Sequence, residues 1–485
     1  MNPMATHNAL QVGHGSADEA HAKLRLLLLG WMIGTGSTGV FIKELAEYLS
    51  GRGHSVTCLS AGRCDWRSGP HLALVQREPF NIIELRNPPI VPGTRPESPL
   101  EHAESSGTTK LLREVLGSCN PQVVAIIDFP GWPASTVRVC HEEGSRVLYY
   151  LQNLWPVCTR LSLYSRWKDV CYDFNHGERC VECMGNLIST RAEQLRSRIP
   201  SWLWGLTGVK SVAKRVYRAL SHEPRFGIES RVGEQYAQRR IAYVRAINEV
   251  DALIGISKGS LAVAERFGVR VTGARELPVR YLAQKQLRQA RPARPARASE
   301  RQAPLRVAYL GAVVPEKGAE VLVTAFKGIP DGVARLDIYG NVSAEYRKVL
   351  QRMAGSVNPP VFHGRYERSS IARLLAEADL GVVPSTCEDT LPSTVVEFHA
   401  LGIPVIGSRI GGIPEMIAHE RNGLLFEAGN AEELRSALLR VIAKPDVIDA
   451  WRDHLPSEFD PLRCWREFER ACCELSVEGS RGDGV

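Results

Sequence analysis

At 485 residues the chain is longer than one ordinary core supports, so two or three domains are expected. Hydrophobic residues make up 44% and charged ones 23%, the balance of a folded globular protein. The net charge of +7 is modest for this length. Much of it comes from one arginine-rich segment, which argues against nucleic acid as a partner. Residues 1–21 read as a disordered leader without the apolar core of a signal peptide. No window holds eighteen consecutive apolar residues, the length that a spanning helix needs. A cytoplasmic location is therefore expected, with the twelve cysteines mostly reduced.

After the leader, "KLRLLLL" (residues 23–29) reads as a buried strand. A glycine loop follows, "GTGSTG" from Gly34 to Gly39, and then a helix with Phe41, Leu45 and Leu49 on one face. "HSVTCLS", "PQVVAIIDF", "SRVLYYL" and "DALIGIS" are further strands with helical stretches between most of them, which predicts a βαβ array on a parallel sheet. Between about residues 152 and 249 the pattern lapses into an insertion rich in Cys, Trp and Arg. Residues 284–304 are Arg, Ala and Pro-rich and are expected to form a solvated linker or surface loop. The strand–helix alternation restarts at "LRVAYLG" (residues 305–311) and runs to about residue 455. The segment 456–485 carries Leu462, Trp465, Phe468, Cys472 and Leu475 on one helical face and should pack as a final helix. The expected organisation is thus α/β, with a first Rossmann-like domain over 22–283, a second over 305–455, and a cleft between them.

The glycine loop satisfies the G-x-G-x-x-G pattern of dinucleotide sites letter for letter. Such a site needs its first glycine directly after the strand and an acid at the end of the second strand. Here "GWMI" intervenes before Gly34 and the second strand ends "CLSAG", so an NAD site is not expected. Gly34, Gly36, Ser37 and Thr38 instead offer flexible backbone, hydroxyls and N–H groups at a helix start. Those features suit a phosphate or a sugar hydroxyl. A tight turn with no ligand is the plainer alternative.

The most informative stretch is "PSTCEDTLPSTVVEFHALGIPVIGSRIGGIPEMI" (residues 384–417). It resembles the donor-binding core of the retaining GT-B glycosyltransferases of family 4, the glycosyl transferases group 1. That family carries two acids eight positions apart, a small-residue helix, a "G-x-P-V" strand entry and a "GG" loop. The resemblance extends to "YLGAVVPEKG", "LDIYG", "VFHGRY" and "EADLGVVPS", and in the first half to "GVFIKELAEYLSGRGHSVTCLS" and "DALIGISKGSLAVAERFGV". It implies the GT-B fold, two Rossmann-like domains facing a cleft with the C-terminal helix crossing back. It also implies that Glu397 accepts hydrogen bonds from a nucleotide ribose, and that Asp389 or its neighbour Glu388 faces the donor sugar. Thr390, Leu391, Pro392, Ser393 and Thr394 would present N–H groups to the diphosphate or sugar, with Gly411 and Gly412 forming the "GG" loop. Lys317 matches the family lysine that stabilises the leaving phosphate. The family arginine is replaced by Ala312, and a family histidine near residue 150 by Gln152, followed by Asn153. Glutamine donates hydrogen bonds but does not shuttle protons.

The implied activity is that of a hexosyltransferase-like glycosyltransferase (EC 2.4), acting from a nucleotide-diphosphate-sugar onto a hydroxyl acceptor. Cell-surface glycan, polysaccharide or glycosylated-metabolite synthesis is the expected setting. No cofactor is required for that chemistry. Two alternatives stay open: a non-catalytic partner subunit, motivated by Ala312 and Gln152, and a sugar-nucleotide epimerase of the same fold.

Two features lie outside this frame. Cys158, Cys171, Cys180 and Cys183 fall as C-x12-C-x8-C-x2-C, a spacing that suits a structural Zn²⁺. His176 could substitute as a ligand or be an ordinary surface histidine, and four reduced thiols packed as small apolar groups are the alternative to a metal site. Similar clusters preceded by W-x-x-C, here "LWPVC", occur in a subset of the family. "IPSWLWGLTGVKSVAKRVYRAL" (residues 199–220) has an apolar face, a basic face and a lead of Trp202 and Trp204. That pattern fits peripheral contact with the inner membrane face and a lipid-linked acceptor, or an ordinary amphipathic helix.

Overall fold

The computed structural model describes residues 22–65, 67, 69–185, 187–198, 229–290 and 304–482. The leader, the amphipathic segment at 199–220 and the arginine-rich stretch at 291–303 lie outside the described residues.

Two parallel-rich sheets organise the chain. The first contains β1 (Arg25–Trp31), β2 (Ser55–Ala61), β3 (His71–Gln76), β4 (Asn81–Arg86), β5 (Val123–Ile126), β6 (Arg146–Leu151), β7 (Ala252–Gly255) and β8 (Arg275–Glu276). Their spatial order is β3-β4-β2-β1-β5-β6-β7-β8, all parallel except the β3–β4 pair. β1 shows why a continuous apolar run is needed at the centre of such a sheet. Successive side chains point to opposite faces, so Leu26 and Leu28 enter one core with Phe41, Ile42 and Leu45 of the Gly36–Gly51 helix. Leu27 and Leu29 enter the other, with Leu112, Val115 and Leu116 of the Ser106–Cys119 helix.

β3 and β4 are absent from the sequence-based outline. β3 is a half-exposed edge, and β4 interrupts its apolar residues with Glu84. That carboxylate is buried and held by Arg63 and Arg86.

The second sheet contains β9 (Leu305–Leu310), β10 (Ala334–Tyr339), β11 (Val361–Gly364), β12 (Leu380–Val383), β13 (Val405–Ser408) and β14 (Gly423–Phe426), ordered β11-β10-β9-β12-β13-β14. Val307 and Tyr309 pack beneath the Ala319–Lys327 helix, while Ala308 and Leu310 pack with Val395 and Phe398 of the Ser393–Ala400 helix.

Each sheet reverses its strand order once, between β1 and β5 in the first and between β9 and β12 in the second. In open α/β sheets a crevice opens at the carboxyl ends of the strands at such a reversal. The two reversals position the site described below.

The last helix, Leu462–Gly482, returns to the first domain, where Trp465, Phe468 and Cys472 join the core under β1. Each large apolar side chain buried in full contributes roughly 1.5–3 kcal/mol. Glu469 on this helix accepts hydrogen bonds from Tyr48 at 2.8 Å and His54 at 2.9 Å, with Arg52 at 3.3 Å.

One expectation is corrected. The segment beginning at residue 284 does not start as a loop: Leu282–Gln289 is a helix with Gln284 and Leu287 buried. Arginine and alanine are good helix formers, and Leu287 joins the core of the second domain. Among the described residues no helix is long and apolar enough to cross a membrane.

Candidate active site

A cleft of about 320 Å³ lies between the domains. Its second-domain wall is built where β9 and β12 end. After β9 the chain forms a short turn, Pro315–Lys317, closed by Gly318 at φ 73°. A Cβ there would stand 1.7 Å from the Pro384 carbonyl oxygen, so only glycine lets the turn lie against the exit of β12. The turn sets Lys317 Nζ 2.5 Å from Asp389 Oδ2. Burial would strip the ammonium of its proton, but the Asp389 carboxylate outweighs it and holds the Lys317 pKa above the ordinary value. Ser385 donates to the same carboxylate oxygen at 3.0 Å. Thr390, Leu391, Pro392, Ser393 and Thr394 line the cleft and lead into the Ser393–Ala400 helix, whose N-terminal end opens onto it. Such an end carries partial positive charge and free N–H donors.

Glu397, four residues into that helix, also lines the cleft and is only 4% exposed. Burial raises its pKa to about 7, against a lowering pull from Arg368, whose guanidinium stands 3.6 Å away. Arg368 also lies 5.0 Å over the ring of Tyr281, a side chain from the first domain.

The facing wall is polar rather than charged. Ser37 and Thr38 open the Gly36–Gly51 helix and line the cleft with Gln152, which follows β6. Gln152 is 7% exposed, and its amide nitrogen has no hydrogen-bond partner among the described residues. The domains are latched around it. The Thr390 hydroxyl donates to the Gln152 carbonyl at 2.7 Å, and the Ser257 hydroxyl to the Thr390 carbonyl at 2.7 Å. Glu415 accepts the N–H groups of Lys258 and Gly259 at 3.0 and 2.7 Å, an acid seated on a helix start.

Several expected residues take other places. Glu388 is turned from the cleft, and its carboxylate is bound by the Tyr172 hydroxyl; Asp389 alone of the pair faces inward. Gly411 and Gly412 lie behind the wall rather than in it. A Cβ on Gly411 would meet the Asp389 carbonyl at 2.2 Å, and one on Gly412 the Thr390 carbonyl at 2.1 Å. They let the backbone of residues 389–390 pack closely instead of touching a ligand. Gly34 and Gly36 shape the turn at positive φ but leave the lining to Ser37 and Thr38. Among the described residues no three His, Cys, Asp or Glu side chains stand, as placed, where they could hold a metal ion; the four insertion cysteines nevertheless line one small cavity.

Asp128, Tyr281 and Arg368 were not anticipated. Asp128 ends the apolar run of β5, at the β1–β5 reversal, and an acid in that position is a signal that the sequence does carry. It is buried and accepts a hydrogen bond from the Asn153 amide at 2.5 Å. Burial raises its pKa to about 7, with the Asn153 bond pulling the other way.

Residues 304–444 match the model of the family described as glycosyl transferases group 1. The matched segment spans the Lys317, Asp389 and Glu397 wall. The chain is 31% identical over 137 residues to sulfoquinovosyl transferase SQD2 of Arabidopsis thaliana, covering 28% of this chain and 26% of the relative. It is 30% identical over 179 residues to amylovoran biosynthesis glycosyltransferase AmsK of Erwinia amylovora, covering 34% of this chain and 44% of the relative. The matches thus span less than half of these relatives' own lengths.

Solved structures extend the likeness to the whole fold. Sucrose-phosphate synthase from Thermosynechococcus elongatus superposes with a TM-score of 0.59 at 16% identity, covering 93% of this chain and 99% of that one. Anabaena Alr3699/HepE, in complex with UDP and glucose, gives 0.56 at 15% identity, covering 92% and 99%. The architecture is GT-B.

Proposed function

We propose that the protein is a retaining glycosyltransferase that moves a sugar from a nucleotide-diphosphate donor to a hydroxyl acceptor. The observation that carries this reading is the opposition of two strand-order reversals across one cleft. One carries Lys317, Asp389, Glu397 and a helix N-terminus; the other carries Ser37, with Gln152 beside it at the end of β6. A nucleotide-sugar presents two phosphates whose charge grows as the glycosidic bond breaks. The Lys317 ammonium and the N–H groups at Ser393 and Thr394 stabilise that charge. Glu397 accepts hydrogen bonds from the ribose hydroxyls, and Asp389 faces the donor sugar. With Ala312 in place of the family arginine, Arg368 is the other cation lining the cleft.

The bond from the sugar C1 to the phosphate oxygen breaks, and a bond from C1 to the acceptor oxygen forms on the same face. The acceptor's proton passes to the departing phosphate oxygen, so no protein nucleophile is needed. Gln152 donates a hydrogen bond without taking that proton. Asp128 acts indirectly, fixing Asn153 and through it the loop that carries Gln152.

The relatives, which include an amylovoran biosynthesis glycosyltransferase and a sulfoquinovosyl transferase, favour glycan or glycolipid products. The UDP and glucose bound to Alr3699/HepE favour a nucleotide-sugar donor. Ala312 and Gln152 support a second reading, a subunit that binds nucleotide without turnover.

A transfer assay separates the two readings. Nucleotide-sugars that raise the melting temperature are incubated with hydroxyl acceptors, and free nucleoside diphosphate is measured. Release that depends on acceptor supports the transferase. Binding with no release over the wild-type chain supports the partner subunit. Turnover of the donor sugar without any acceptor marks an epimerase.

A further inference from the structure

The insertion holds a group of side chains that the proposed reaction does not use. Cys158, Cys171, Cys180 and Cys183 line one cavity of about 20 Å³. The four come from three separate segments, so the fold rather than local chain geometry gathers them. That volume is close to the space of a single water. It admits an atomic ion and excludes a phosphate or a larger ligand.

The charges around this cavity do not balance. Arg160, Arg179, Arg239 and Arg240 line it, and no carboxylate does. Arg179 is paired with Asp169. Arg239 is only 1% exposed, and its guanidinium donates to the carbonyls of Trp155 and Pro156 at 2.8 and 3.1 Å and to His102 Nδ1 at 3.0 Å. These partners are all neutral, since burial and the Arg239 charge keep His102 unprotonated. Arg240 donates to the Val157 carbonyl at 3.0 Å and lies 3.5 Å from Cys180 Sγ. Among the described residues neither Arg239 nor Arg240 has a carboxylate partner. A buried cation without a counter-charge is costly.

We infer that Cys158, Cys171, Cys180 and Cys183 form a tetrathiolate site for one thiophilic divalent cation of the zinc class, with Arg239 and Arg240 as its built-in counter-charge. Four thiols lose four protons to solvent and bind one dication, which leaves the site with a net charge of −2. The Arg239 and Arg240 guanidiniums, which have no carboxylate partner among the described residues, offset that charge. The sulfurs as placed are not gathered at ligand spacing, so the ion draws them inward around the cavity.

The site has a structural task. The same module reaches across to the second domain: the Glu388 N–H donates to the Ser162 carbonyl at 3.3 Å, Tyr172 binds the Glu388 carboxylate, and Lys168 Nζ stands 2.6 Å from Glu320. An ion at the cysteines therefore stiffens the wall that backs Asp389.

Metal analysis of the full-length chain, purified under reducing conditions and dialysed after incubation with Zn²⁺, tests this directly. About one zinc per chain is expected. Replacement by Co²⁺ should give the intense sulfur-to-metal absorption of tetrahedral thiolate coordination. C180S and C183S should lose most of the bound metal, whereas C64S, outside the module, should keep it. The Co²⁺ spectrum of the wild type keeps the test open if a cysteine variant fails to fold. A wild-type chain that stays below about a tenth of a metal per chain, or whose four thiols react freely with a thiol reagent after Zn²⁺ loading, would overturn the site.

Discussion

The two walls of the cleft occupy the same place in two similar sheets, yet they are chemically unlike. The wall at β9 and β12 is charged: Lys317 and Asp389 are paired at 2.5 Å, and Glu397 sits buried one helical turn further in. The wall at β1 and β6 is polar and under-satisfied: among the described residues the buried Gln152 amide nitrogen lacks a partner, and behind the wall Asn153 offsets the burial of Asp128. The first wall is organised before any ligand arrives, as a site for developing charge must be. The second leaves a donor unmet, as a site that recognises a neutral hydroxyl would. Preorganised charge and unmet polarity thus divide the proposed reaction between leaving group and acceptor.

The largest effect should come from breaking the charged wall. Lys317→Ala should lower transfer by about 100-fold or more, with an unchanged circular-dichroism spectrum. Lys317→Arg should recover part of it. Equal activity in Lys317→Ala would make the two walls alike. On the polar wall, Asp128→Asn should cost about 10- to 100-fold through misplacement of the Gln152 loop. That loss should fall on acceptor turnover and leave the nucleotide Kd unchanged. A weakened nucleotide Kd would place Asp128 in donor binding instead.

A smaller effect separates the walls by pH. Glu397 must be ionised to accept two ribose hydroxyl bonds, and its pKa in the empty cleft is raised to about 7. Nucleotide affinity should therefore be full above pH 7 and fall as the pH drops through that value. In Glu397→Gln the affinity should be weaker and flat with pH, as titration calorimetry at several pH values would show.

The smallest effect concerns the helix that ties the two domains together. Burial would raise the Glu469 pKa, but hydrogen bonds from His54 and Tyr48, with the Arg52 charge, lower it to about 2. A depressed folded pKa means that this stability is present above the ordinary value of 4.5. It is lost as the pH falls from there towards about 2. Glu469→Gln should lower the melting temperature by a few degrees at neutral pH and flatten its acid dependence. An unchanged acid profile would remove Glu469 from the account.

The same contrast explains what the sequence made legible. The charged wall is nearly contiguous: Asp389, the Thr390–Thr394 turn and Glu397 lie within one strand–turn–helix unit, so their spacing is visible in the chain. Lys317 belongs to another recognisable turn. The polar wall draws on Ser37, Gln152 and Tyr281, with Asp128 behind it, which long-range packing brings together, and no local period marks such a set. Adjacent residues also defeat spacing arguments. Glu388 and Asp389 are neighbours, yet the docking of Tyr172 turns one away and Lys317 draws the other in. The central strands are legible because both of their faces are buried. β3 and β4 are less so, because an edge position and an ion-paired Glu84 blur the apolar pattern.

The central claim is that a nucleotide-diphosphate-sugar binds on the charged wall. Thermal shift of the wild type, Lys317→Ala and Glu397→Gln against UDP-, GDP-, ADP- and TDP-sugars tests it most directly. The account predicts that one nucleotide class clearly stabilises the wild type and that each variant loses most of that shift. No stabilisation of the wild type by any donor, or an equal shift in both variants, would contradict it.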